Sequence, residues 1–333
     1  MATTSRLSKV IKGKMACAKR FIIYGSEGVG KSSLAADAPS PIFLDIDDGS
    51  ADIDVPRYEF RDGPGGTVPL SYEEVLSAID DLTENESEYK TLVIDTADRL
   101  ESLLWRYVVK HESGRASAMN KSGKTFDSLL ELGYGNGFEL ARDEWRNFAK
   151  RLDTLRAKRN MTIVILAHAN IRTFKNPEGE DFDQYTLRLH EKAAGFLREW
   201  TDTTGYACFE ETSGRLKGDE SARAKGYSTG RRLLKFVKTA TYFAKSRLAL
   251  PEQVELDPAH PWGPLAEAIA YSNTQTPLML ADAIEIELAR IGDVELAEKG
   301  NPSVAKAITE NDKGALSRML NSLKKRQPKQ VAV

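Results

Sequence analysis

Residues 25–32 read Gly-Ser-Glu-Gly-Val-Gly-Lys-Ser, the spacing G-x-x-x-x-G-K-[ST]. These residue types suit a polyphosphate. Glycines at 25, 28 and 30 let the backbone curl, so that N–H groups from Ser26, Glu27, Val29 and Ser33 can converge on phosphate oxygens. Lys31 is placed to reach the β- and γ-phosphates, and the Ser32 hydroxyl to ligate Mg²⁺. ATP and Mg²⁺ are the expected cofactors. A second carboxylate on the metal side is required, and Asp95, closing the apolar run TLVID, supplies it. The other use of an aspartate there is to cap the next helix, for which Asp98 is available.

Hydrolysis also needs a group that orients or deprotonates water. The stretch FLDIDDGS crowds Asp45, Asp47 and Asp48 at one strand end, where carboxylates repel unless positive charge stands near. His168 closes the run VILAH and is a candidate sensor of the γ-phosphate. Lys245 and Arg247, in YFAKSRLALP, stand two residues apart on one face of an expected strand. Two such cations need either solvent or a concentrated negative charge.

The elements that must position these residues follow from the pattern. RFIIYG, PIFLD, KTLVID and MTIVILAH are short apolar runs that read as buried strands, and KSSLAADA begins a helix that Pro39 stops. Ser71 and Glu74 form a capping signal for a helix from residue 71. RLESLLWRYVVKH and FELARDEWRNFAKRLDTLRAKRN have helical periodicity. Residues 112–128 and 169–190 are expected to be long polar loops, and TGYACFEET, GRRLLKFVKTA and YFAKSRLAL to be late strands. The expected fold is α/β: a mostly parallel twisted sheet extended by later strands, with ligand groups at the carboxyl ends of strands. We divide the chain into an N-terminal arm (1–19), a core (20–262), a helical C-terminal region (263–325) and a flexible tail (326–333).

The chain has 333 residues, 41% of them hydrophobic, and a formal net charge of −2, so any nucleic-acid binding must come from a local patch. No apolar run is long enough to cross a membrane, and the N-terminus lacks the apolar segment of a secretory signal. Two cysteines, Cys17 and Cys208, exclude a disulfide framework and fit a cytoplasmic protein.

From AKRFIIYGSEGVGKSS to AKSRLALP the order of parts resembles the RecA-type ATPases, and among them the phage-encoded RecA-like proteins of the single-strand-annealing (Sak) group. The resemblance implies a RecA-like core and ATP hydrolysis in phage recombination or annealing. It makes Asp47 the water-activating base, with Asp48 as alternate, and His168 the γ-phosphate sensor. The segment Gly133–Phe138 resembles a glycine-tyrosine motif of the phage proteins. Lys245 and Arg247 match the Lys-x-Arg of DnaB-type hexameric helicases, which reaches the nucleotide of a neighbouring subunit; this implies a homo-oligomer.

The resemblance also implies binding of single-stranded DNA by the two long loops. Lys121 and Lys124 are the candidates in the first, and Arg172, Lys175 and Arg188 in the second, where Phe174 and Tyr185 could stack on bases. A single-strand-binding protein is the partner common in systems of this kind. The rival reading is a nucleotide-switched binding or loading module with little hydrolysis.

Overall fold

The computed structural model describes residues 17–63, 65–120, 125–133, 135–214, 225–274, 277–291, 294–310 and 312–324. The N-terminal arm before residue 17, Lys121, Lys124 and the tail lie outside them.

Four apolar runs become parallel neighbours: β1 (Arg20–Gly25), β2 (Pro41–Asp45), β3 (Thr91–Asp95) and β4 (Thr162–Phe174). Each alternates its side chains between two buried faces. Ile22 and Tyr24 of β1 face one apolar cluster, and Phe21 and Ile23 face the other. Burial on both faces explains why these strands are continuously apolar rather than alternating. The helices α2 (Tyr72–Glu84), α3 (Ala97–Asn120), α4 (Asn136–Arg159) and α5 (Glu191–Trp200) cover the first face. The short α1 (Lys31–Ala36) and α6 (Gly263–Thr274) cover the second, with Leu265 of α6 fully buried against it.

The sheet order is β2-β3-β4-β1-β6-β7-β9, where β6 is Thr203–Gly214, β7 Lys225–Lys235 and β9 Gln253–Glu255. β6 runs parallel to β1, while β7 and β9 extend the sheet antiparallel. The mostly parallel α/β fold with later strands and C-terminal helices is therefore as expected. Helices α7 (Pro277–Ile291), α8 (Val294–Thr309) and α9 (Lys313–Lys324) bury an apolar cluster of their own. Among the described residues no helix is long and apolar enough to cross a membrane.

Three local expectations change. Residues 112–120 continue α3 as helix. The polar stretch after His168 is a β-hairpin: β4 runs on to Phe174 and pairs antiparallel with β5 (Phe182–Leu187). Both faces of its outer half meet solvent, so no apolar alternation marks it. The last expected strand shrinks to β8 (Lys245–Ser246), paired with Thr203 and Thr204 of β6.

Candidate nucleotide site

β1 ends at Gly25, and the chain curls through residues 26–30 into α1. Gly28 and Gly30 take the left-handed φ values 74° and 89°, which the turn requires and side chains disfavour. Gly25 serves differently: a Cβ there would lie 2.1 Å from the Ala207 carbonyl oxygen on β6. The glycine is a close-approach residue of the sheet. Lys31 is buried, and its ammonium donates to the carbonyls of Gly25 (3.1 Å) and Ser26 (2.9 Å). Burial lowers its pKa, against the pull of Asp95 and Asp98.

β3 delivers Asp95 opposite the loop, where the Ser32 hydroxyl donates to Asp95 Oδ2 at 2.6 Å. Burial pushes the Asp95 carboxyl up to about 6, against that hydrogen bond. A hydroxyl and a carboxylate in contact, both facing the cleft, fit Mg²⁺, which keeps water and phosphate in the rest of its shell. Among the described residues no cluster of three His, Cys, Asp or Glu side chains is placed to hold a metal ion.

Asp98 does not compete with Asp95. The β3–β4 register pairs Asp95 with Leu166, so His168 stands two residues further along β4, beside Asp98 in the first turn of α3. The His168 main-chain N–H donates to Asp98 Oδ1 at 3.0 Å, and His168 Nδ1 lies 2.9 Å from Asp98 Oδ2. The hydrogen bond to Asp98 raises the imidazole above its ordinary value. Burial works to raise Asp98, but the hydrogen bonds from His168 outweigh it and hold that carboxyl below the usual range. The sequence offered Asp98 only as a helix cap; its role depends on β4 lying beside β3.

The three aspartates at the end of β2 separate. Asp45 is buried and accepts from the Gly49 and Ser50 amides and the Ser50 hydroxyl, which closes the turn. Asp48 takes φ 56° and is not among the residues that line the cleft. Asp47 lines the cleft, 3.8 Å from Arg99; burial first, then the Asp98 charge, raises its pKa. The cleft, about 350 Å³, thus gathers Lys31, Ser32, Asp95, Asp47 and His168. Arg232 of β7 also lines it, a residue that the sequence placed only in the expected strand GRRLLKFVKTA.

Lys245 and Arg247 lie elsewhere. Lys245 Nζ donates to the carbonyls of Arg198 (2.5 Å) and Thr201 (3.1 Å), and Arg247 Nη2 to that of Glu199 (2.6 Å). In the single chain both cations cap the C-terminus of α5, where the helix dipole is negative. Arg247 also pairs with Asp202 at 3.5 Å, its side chain 52% exposed.

Of the expected DNA ligands, Arg172 donates to the Leu189 carbonyl and Lys175 pairs with Asp181 at the hairpin tip. Arg188 pairs with Glu27 of the phosphate loop at 3.8 Å. The Gly133–Phe138 segment acquires a physical role. Gly133 and Gly135 take positive φ values, 78° and 76°, ahead of α4, and Phe138 in its first turn stacks on His190, centroids 4.1 Å apart, at the N-cap of α5.

A family model described as "AAA domain" matches residues 18–248, most of the chain and every residue of the cleft. No curated protein gives a significant match. Among solved structures, the crystal structure of the RadB recombinase aligns with 67% of this chain and 82% of its own, at 12% identity and a TM-score of 0.32. So distant a likeness says nothing of what this chain binds. The match over residues 18–248 is sufficient by itself: the chain belongs to the AAA-domain family of P-loop ATPases.

Proposed function

We propose that this protein is a Mg²⁺-dependent, RecA-like ATPase of phage type that assembles with itself and acts on single-stranded DNA in recombination or annealing. The observation that carries the ATPase reading is one cleft lined by the phosphate loop, the Ser32–Asp95 pair and His168, which Asp98 holds from behind the lining. Lys31 binds phosphate. Ser32 and Asp95 would hold Mg²⁺, which supplies charge neutralisation when bound. Asp47 faces the cleft and accepts a proton from water. His168, held at Nδ1 by Asp98, offers its other ring nitrogen to a terminal phosphate oxygen.

The DNA reading draws support from the β4–β5 hairpin. Phe174 and Phe182 pair with ring centroids 5.1 Å apart, and Lys238 Nζ stands 5.3 Å from the Phe174 ring. Cations beside exposed rings suit a strand of stacked bases. In an assembly, Arg247 is the cation that reaches a neighbour's nucleotide, since its guanidinium meets solvent while Lys245 is held at the helix end.

The test is the ATPase rate with and without single-stranded DNA, using Lys31→Ala as the blank. Turnover stimulated by DNA supports the proposal. Nucleotide binding with no turnover, with or without DNA, would favour the switching module.

A further inference from the structure

The sheet order places the acidic and metal-side groups on one flank of the phosphate loop. Asp47 follows β2, Asp95 ends β3 and His168 lies within β4, all on the same side of β1. Arg232 comes from β7, two strands away on the opposite side. Its Nη1 lies 2.8 Å from where a Cβ on Gly30 would stand, so the guanidinium rests directly on the glycine preceding Lys31.

Its main chain is fixed on both sides. Arg232 pairs with Phe209 on β6, and its carbonyl accepts from the Leu256 amide at 2.8 Å. The guanidinium carbon stands over the Phe209 ring, 6.0 Å from its centroid. The neighbouring arginine makes a contrast. Arg231 is exposed and doubly paired, with Glu210 at 2.5 Å and Glu255 at 3.2 Å. Arg232 is half-buried, and no carboxylate among the described residues pairs with it. A guanidinium held in a cleft without a counter-anion needs one, and its planar fork matches two phosphate oxygens.

We infer that Arg232 is a phosphate-binding residue acting within its own chain, gripping the α- and β-phosphates from the flank opposite the Mg²⁺ side. This rests on the nucleotide reading above and assigns its ligand more narrowly. The backbone cradle holds α- and β-phosphates, whereas Lys31 reaches towards the γ-phosphate. A cation lying on the cradle therefore contributes to ADP and ATP alike. It differs in kind from a cation delivered by a neighbouring subunit, which acts on turnover.

The experiment is calorimetric titration of MgADP and MgATP into wild type, Arg232→Gln and Arg232→Lys, with thermal melts of each apo protein. We expect Arg232→Gln to melt as wild type does and to weaken both nucleotides by a similar factor, roughly ten- to a hundredfold, the effect of removing one charge-assisted hydrogen-bonding group. Arg232→Lys, which keeps the charge without the fork, should fall between the two, and it carries the test if the glutamine variant does not fold. Binding within twofold of wild type in a folded variant would overturn the inference and leave the nucleotide site standing. Loss confined to MgATP would overturn it too, because the guanidinium would then be serving the γ-phosphate. Failure of wild type to bind either nucleotide would instead remove the nucleotide reading itself.

Discussion

The Asp98–His168 pair makes a prediction with a definite sign. Replacing Asp98 by alanine removes both acceptors, for the His168 amide and for Nδ1, at 3.0 and 2.9 Å. Both side chains are under one-fifth exposed. Hydrogen bonds to a charged group are worth about 1.5–3 kcal/mol, so Asp98→Ala should cost about 2–4 kcal/mol of stability. Asp98→Asn keeps an acceptor for the amide and loses the charge and the oxygen facing Nδ1, at a cost of about 1–2 kcal/mol near pH 6. The pH dependence separates these terms. His168 is raised, so its contribution is whole below about 6.5, the unfolded value, and is lost as pH rises through the native value. Asp98 is lowered, so its contribution is present above about 3.9 and is lost as pH falls through the native value. Lys31 and Asp47 also face the imidazole, in opposite senses, and both remain in the Asn variant. Urea unfolding of wild type and Asp98→Asn from pH 5 to 9 should therefore show a difference that is largest at the acid end and shrinks through neutrality. A difference that stays flat or grows with pH would refute the charged pairing, as would a double-mutant coupling with His168→Ala under about 0.5 kcal/mol.

Lys31→Ala should abolish nucleotide binding in a folded protein, while Asp95→Asn should bind nucleotide but lose Mg²⁺-dependent turnover; calorimetry and an ATPase assay across Mg²⁺ concentrations check both. Gly25→Ala drives a Cβ to 2.1 Å from the Ala207 carbonyl, so it should cost about 1–3 kcal/mol in unfolding measurements and open the β1–β6 seam. Lys175→Gln with Arg188→Gln should reduce the salt slope of single-strand binding by about 0.7 for each phosphate no longer neutralised, Arg172 being left alone because it holds the Leu189 carbonyl. If Arg247 serves a neighbour, mixtures of inactive Arg247→Ala and inactive Lys31→Ala should recover ATPase activity; co-assembled mixtures that stay inactive would confine Arg247 to its helix.

What the sequence disclosed divides along a physical line. RFIIYG, PIFLD, TLVID and the start of TIVILAH could be read because burial on both faces leaves no choice but apolar residues. The groups that follow them could be read because ligands gather at the carboxyl ends of parallel strands. Groups whose roles depend on strand order could not. Asp98 meets His168 only because β4 inserts between β1 and β3, and Arg232 meets Gly30 only because β6 and β7 add to the far side of β1. The hairpin after His168 was hidden for another reason: a strand wet on both faces has no hydrophobic period. Lys245 and Arg247 join the two cases. The i, i+2 alternation did put both cations on one side, and they do share one target. That target is the carbonyl end of α5, 44 residues back from Lys245 at Thr201, brought there by the β8–β6 pairing. A helix end carries the same sign of charge as a phosphate, though only about half an elementary unit. It can therefore hold Lys245 in place, while the half-exposed guanidinium of Arg247 would have to exchange the Glu199 carbonyl and Asp202 for the larger charge of a nucleotide brought to it by a second chain.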